Sequence, residues 1–173
     1  MIKWGILSTA KIATEQIIPA ILESKNSIIY GIASRDLKKA KKLVKQFDIK
    51  EAFSSYKDIL NCKKIDAIYI PLPTSQHIEW SIFSLRAQKH VLCEKPIALN
   101  VKEIDKLDLE IKKSNRIFSE AFMVYYHPQW KKVKKLISDG EIGDLKHVQG
   151  CFTYFNIDPK NMRNIPELGG GVL

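Results

Sequence analysis

The residues able to do chemistry in this chain gather where apolar runs break off. The run His90-Val91-Leu92-Cys93 ends in Glu94-Lys95-Pro96, a carboxylate, an ammonium and a proline in succession. A residue that precedes proline is pushed out of the helical region into extended backbone. Lys95 is therefore expected to project past the carboxyl end of a strand, where open α/β sheets hold their ligands. Taken alone, Glu-Lys-Pro also reads as a turn with two solvated charges. A second break follows Ala67–Ile70, where Pro71, Leu72, Pro73 and Thr74 form a rigid turn leading to His77. That histidine reads equally well as a first-turn helical residue making a local hydrogen bond.

The first strand-to-helix turn is Gly5-Ile6-Leu7-Ser8-Thr9-Ala10-Lys11-Ile12-Ala13, in which Ser8, Ala10 and Ala13 stand where a dinucleotide fingerprint usually has glycines. Those glycines serve a tight turn, a close approach of backbone to pyrophosphate, and helix-to-strand packing. On that reading Ser8, Thr9, Ala10, Lys11 and Ile12 cradle a pyrophosphate at a helix amino terminus; on the other they form an ordinary turn. The next apolar strand ends Ile32-Ala33-Ser34-Arg35-Asp36, at about the separation where such domains read the adenosine ribose. An acidic residue there would take the 2′-hydroxyl of NAD, whereas arginine suits the 2′-phosphate of NADP. Ser34 and Arg35 come first and Asp36 fits a helix cap. The arrangement points to NADP, with NAD as the alternative. His77, His90, Cys93 and His127 lack metal-ligand spacing, so no metal is expected.

The elements that must position these groups can be read from periodicity. Strands are expected at Lys3–Leu7, Ser27–Ala33, Ala67–Ile70, His90–Cys93 and Arg116–Ser119. Helices are expected from the first turn to about Leu22, after Asp36, near Tyr56–Cys62, from Gln76 to Ala87, and over Val101–Ser114 behind a capping box of Asn100 and Glu103. Pro19 is expected to kink the first helix or end it early. Strand and helix alternate with short connections, the pattern of a doubly wound parallel α/β sheet. From Ala121 the character changes. A helix opened by Pro128 and closed by Gly140 precedes an alternating strand, Lys146–Phe155, which together are too little for a two-layered domain. The expected boundary lies near Glu120, dividing 1–120 from 121–173.

Composition limits the alternatives. An apolar fraction of 45% and a charged fraction of 27% are those of an ordinary globular protein. No apolar run approaches a membrane span and no signal peptide opens the chain, so the expected location is cytoplasmic, without a membrane partner. The net charge of +9 raises the question of nucleic acid. The lysines fill the solvated faces of expected helices, however, and no aromatic residues alternate with them as stacking platforms, so nucleic acid is not the expected partner. Cys62, Cys93 and Cys151 are odd in number and far apart, and are read as reduced and structural.

Together, Trp4–Ala13, Ala33-Ser34-Arg35, Tyr69–Pro73, Glu94-Lys95-Pro96, Glu120-Ala121-Phe122-Met123 and Glu167–Gly171 resemble the glucose-fructose oxidoreductase / inositol dehydrogenase family, in particular its dihydrodiol and D-xylose dehydrogenase branch. The resemblance covers the chain in order. It implies a Rossmann-type NAD(P)-binding domain over 1–120 and, over 121–173, the incomplete start of an α+β substrate and dimerisation domain with a mostly antiparallel sheet. It further implies hydride transfer between a nicotinamide and a carbinol or carbonyl carbon of a sugar, polyol or diol, in a homo-oligomer. Lys95 would be catalytic and would also contact substrate, with a cis bond to Pro96. Glu94, Lys95 and Pro96, with Pro71, Leu72, Pro73, Thr74 and His77, would seat the cofactor. Tyr125 and Arg163 match positions that border cofactor or substrate, and read equally as a core aromatic and a solvated loop cation. Three departures stand out: Thr74 where relatives often have Asn, Asn164 where the branch tends to have Trp, and a fingerprint without its first two glycines. In the family the glycine run leads to an aspartate and a tyrosine or histidine that complete the acid-base apparatus. Because the sequence ends before them, the alternative expectation is a catalytically inactive dinucleotide-binding fragment.

Overall fold

The computed structural model describes residues 1–170. Six short strands form a single parallel sheet: β1 (Ile2–Leu7), β2 (Ser27–Ala33), β3 (Glu51–Phe53), β4 (Ala67–Ile70), β5 (His90–Cys93) and β6 (Phe118–Glu120). Their order across the sheet is β3-β2-β1-β4-β5-β6. The chain thus winds outward from β1 in one direction and, after crossing over, outward from β4 in the other. This is the Rossmann order, whose topological switch lies between β1 and β4.

The central strands are continuous apolar runs because both faces of the sheet are covered. Along β4 the pleat sends Ile68 and Ile70 to one face and Tyr69 to the other. Ile68 and Ile70 pack with Ile59 and Leu60 of α3 (Tyr56–Asn61), Leu85 of α4 (His77–Arg86) and Leu107 of α5 (Val101–Ser114). Tyr69 joins Ile6 and Ile32, packed under Ile18 and Ile21 of α1 (Ile18–Leu22) and Ala40 of α2 (Leu37–Gln46). The caps follow the sequence signals. Asp36 accepts from the backbone N–H groups of Lys38 and Lys39 at 3.0 and 3.4 Å, and Asn100 accepts from that of Glu103 at 3.1 Å.

Several expectations need correction. The helix continues through Pro19 to Leu22 because the preceding turn widens to a π-helix at Ala13–Ile17, in which the Ile18 N–H reaches back to the Ala13 carbonyl. Such a turn absorbs the hydrogen bond that proline cannot make. Strand β3 has no counterpart in the periodicity reading, and the last strand sits at Phe118–Glu120 rather than Arg116–Ser119. The segment Lys146–Phe155 is coil, and no antiparallel sheet forms among the described residues. A strand exists only when its N–H and C=O groups meet a partner ladder, and the described residues offer it none. Ahead of it, α6 (Pro128–Ser138) forms as expected, with Gly140 at φ +78° just beyond. Cys93 is buried, Cys62 is partly buried and Cys151 is exposed among the described residues. Gly171 of the glycine run lies outside the described residues.

Candidate active site

The carboxyl ends of the strands carry two clefts. The smaller, about 420 Å³, is lined by Ser8, Thr9 and Ala10 after β1, by Ser34, Arg35 and Asp36 after β2, and by Lys39 and Tyr56. Ser8 takes a positive φ of +94°, a backbone conformation that favours glycine. Its hydroxyl accepts from the Ala10 N–H at 3.1 Å and its own N–H donates to the Ala33 carbonyl at 2.8 Å, so local bonds hold the turn without the glycine. Ser34 is buried, and its hydroxyl accepts from the Asp36 N–H at 3.1 Å. The Asp36 carboxylate caps α2 through Oδ1, where the helix amino terminus offsets part of its charge, and Arg35 and Lys39 add two cations to the cleft. Burial raises the Tyr56 phenol above its usual range, and the Arg35 guanidinium beside it pulls the other way. Lys11, on the outer side of the turn, pairs with Glu15 at 3.6 Å, and Ile12 is partly exposed beside it.

The larger cleft, about 890 Å³, opens over the ends of β4, β5 and β6. Thr74, Lys95, Pro96, Glu120 and Phe122 line one side; Arg163 and Gly169 are among the residues opposite. The Lys95–Pro96 bond is cis. Among the described residues the Lys95 ammonium pairs with no carboxylate. Glu94 is held from below: Tyr69, buried in β4, donates its hydroxyl to Glu94 Oε1 at 2.7 Å, and burial with that carboxylate pushes the phenol far above its usual range. Gly169 sits at φ +85°, where a side chain would meet Leu99 Cδ2 at 2.7 Å and Thr74 Cβ at 2.8 Å. Its bareness lets Gly169 sit close against Thr74.

Of the residues singled out by sequence, Ser8, Thr9, Ala10, Ser34 and Arg35 come together in the small cleft, and Thr74, Lys95, Pro96 and Arg163 in the large one. Pro71 and Leu72 are buried beneath the β4 turn and Pro73 is partly covered. His77 is 1% exposed, with both ring nitrogens on protein carbonyls rather than facing the clefts. Tyr125 is 79% exposed and packs on Tyr126, outside both clefts. Arg163 lies over the Tyr154 ring, 5.9 Å from its centroid. Sequence reasoning passed over Lys39, Tyr69 and Glu120 as site residues. Lys39 carried a usable signal, being a cation in the first turn of the helix that follows Arg35. The other two acquire a role only through neighbours across the sheet.

Residues 2–122 match the family described as "Oxidoreductase family, NAD-binding Rossmann fold", the glucose-fructose oxidoreductase / inositol dehydrogenase family. The chain is 42% identical over 173 residues to an uncharacterized oxidoreductase, ORF334, of Rhizobium meliloti, covering all of this chain and 52% of that protein. It is 32% identical over 174 residues to trans-1,2-dihydrobenzene-1,2-diol dehydrogenase of Xenopus tropicalis, covering 99% of this chain and 52% of that one. The structure of KijD10, a 3-ketoreductase from Actinomadura kijaniata in complex with NADP, superposes with a TM-score of 0.77 at 32% identity, over 83% of this chain and 45% of that one. The chain spans about half the length of the curated relatives it matches. It belongs to this oxidoreductase family.

Proposed function

From that membership we propose that the chain binds NADP along the carboxyl edge of its sheet and serves hydride transfer at a carbinol or carbonyl carbon of a sugar, polyol or diol. The observation that carries this is the pairing of the clefts across the β1/β4 switch: a cationic one with Arg35 and Lys39, and one holding Lys95, which pairs with no carboxylate among the described residues. The residues fit the cofactor. The carboxylate that would repel a 2′-phosphate has part of its charge offset by the helix it caps, and two cations stand beside Ser34. NADP bound in KijD10 and the diol substrate in the name of the Xenopus relative support the same choice. On this reading residues 1–120 are the dinucleotide-binding domain and 121–173 begin the substrate domain, a mostly antiparallel sheet that also makes the contact of a homo-oligomer.

When bound, the nicotinamide supplies or accepts the hydride. The protein's own part is electrostatic and positional. Ser8, Thr9 and Ala10 line the path of the pyrophosphate, and Ser34, Arg35 and Lys39 take the 2′-phosphate. Glu94, fixed by Tyr69 and next to Lys95 in the chain, would help to seat the cofactor. Lys95 hydrogen-bonds the reacting oxygen and gives or takes its proton, and Arg163 borders the substrate.

Fluorescence titration with NADPH tests the binding. Arg35→Ala is expected to raise Kd about tenfold, near 1.4 kcal/mol, and NADH is expected to bind more weakly than NADPH. An unchanged Kd in Arg35→Ala would contradict the assignment. Reduction of NADP by a panel of polyols tests the chemistry: turnover supports hydride transfer, whereas binding without reduction would favour the alternative, a chain that binds dinucleotide without turnover.

A further inference from the structure

We propose that His77 and Glu120 are positioning residues that set the Lys95 loop by gripping the two ends of one peptide group. The inference rests on the reading of the large cleft as the nicotinamide end of an NADP site. The carbonyl of Pro96 lies 2.7 Å from His77 Nδ1, and the N–H of Ile97 donates to Glu120 Oε1 at 2.9 Å. Carbonyl and N–H belong to the same planar amide, the one that follows Pro96. An amide held at both ends cannot rotate about the chain axis, so the direction in which Pro96 and Lys95 enter the cleft is fixed from behind.

The grip draws on three elements. His77 opens α4, and its other nitrogen, Nε2, lies 2.7 Å from the Leu72 carbonyl, which ties the turn after β4 to the turn after β5. Glu120 ends β6, in register with Cys93 of β5. The His77 ring thus bridges the Leu72 and Pro96 carbonyls through its two nitrogens. Glu120 completes the arrangement, because a carboxylate drawing on the N–H of an amide polarises its carbonyl toward the donor on the other side. Leu72, His77, the Pro96–Ile97 amide and Glu120 thus form one continuous hydrogen-bonded chain. The apolar packing does not need it: Glu120 is only partly buried and belongs to neither core. Its purpose lies at the cleft that Lys95, Pro96 and Glu120 all line.

The test compares two ligands on the whole 173-residue chain. NADPH reaches both clefts, whereas 2′,5′-ADP has no nicotinamide and reads the small cleft alone. Glu120→Ala is expected to raise the Kd for NADPH about fivefold and leave that for 2′,5′-ADP within about twofold. Glu120→Gln, whose carbonyl can still accept from Ile97, should recover affinity relative to Glu120→Ala, and His77→Asn should shift NADPH in the same direction as Glu120→Ala. In a Lys95→Met background the cost of Glu120→Ala should fall to within about twofold, because the two changes act on one thing. An NADPH Kd unmoved by Glu120→Ala, equal losses for both ligands, or full additivity with Lys95→Met would overturn the proposal. Should His77→Asn fail to fold, the Glu120 variants decide. A wild-type chain that bound neither ligand would instead defeat the NADP reading on which the inference rests.

Discussion

Cys93 sits one residue from Glu94 and two from Lys95, yet its thiol is chemically silent. Full burial pushes its pKa up to about 12, so at neutral pH it is neither a nucleophile nor a metal ligand. Two outcomes follow. Iodoacetamide at pH 8 should label the exposed Cys151 in the native chain and spare Cys93, as peptide mass mapping would show; early labelling of Cys93 would contradict its burial. In the unfolded chain the thiol ionises near its ordinary 9.0, and in the folded one near 12. The folded state binds the extra proton between those values, so stability falls as pH rises from about 9 to about 12, and Cys93→Ala should flatten that slope in denaturant titrations. The placement of residues fixed by type and local neighbours was legible in sequence: Ser34 and Arg35 at a strand tip, and Lys95 before proline past a strand's end. Tyr69 and Glu120 were not. An apolar run hides the one hydroxyl that points at Glu94, and a glutamate gains its meaning from an N–H twenty-three positions earlier.

At the scale of elements, the strands that face helices on both sides were read correctly because continuous apolar runs leave little choice. Edge structure was harder. Glu51-Ala52-Phe53 is too short to show a period, and its place depends on Gly31 of β2. A side chain at Gly31 would meet Phe53 Cε2 at 2.5 Å and the Glu51 carbonyl oxygen at 3.2 Å. Gly31→Ala should therefore cost about 1–3 kcal/mol by chemical denaturation, since overpacking against backbone cannot relax freely. Pairing it with Phe53→Leu should recover part of the loss. No change in Gly31→Ala would mean that β3 docks more loosely than described. The reverse error, reading Lys146–Phe155 as a strand, has the same root: alternation specifies which face a strand would bury but does not supply the neighbour that makes it one.

At the scale of the whole molecule, two surfaces pull in opposite directions. Lysines on the helices give a net charge of +9, which keeps molecules apart and favours an anionic ligand. The region after β6 exposes large apolar side chains, with Phe152 at 90% and Phe155 at 85%. Exposed apolar surface of this kind favours association. Light scattering should give a mass above the 19.8 kDa of one chain, rising with salt as the charges are screened, and Phe152→Ser with Phe155→Ser should bring it down. A monodisperse monomer at high salt would contradict this. No helix among the described residues is long and apolar enough to cross a membrane.

The central claim is that the two clefts are the two ends of one NADP site, with Lys95 at the chemical end. A crystal structure of the chain with NADP bound tests it most directly. The 2′-phosphate is expected among Ser34, Arg35 and Lys39, and the nicotinamide in the large cleft, facing the Lys95 amine across the space of a reacting oxygen. A nicotinamide lying outside that cleft, or a Lys95 amine turned away from it, would contradict the account.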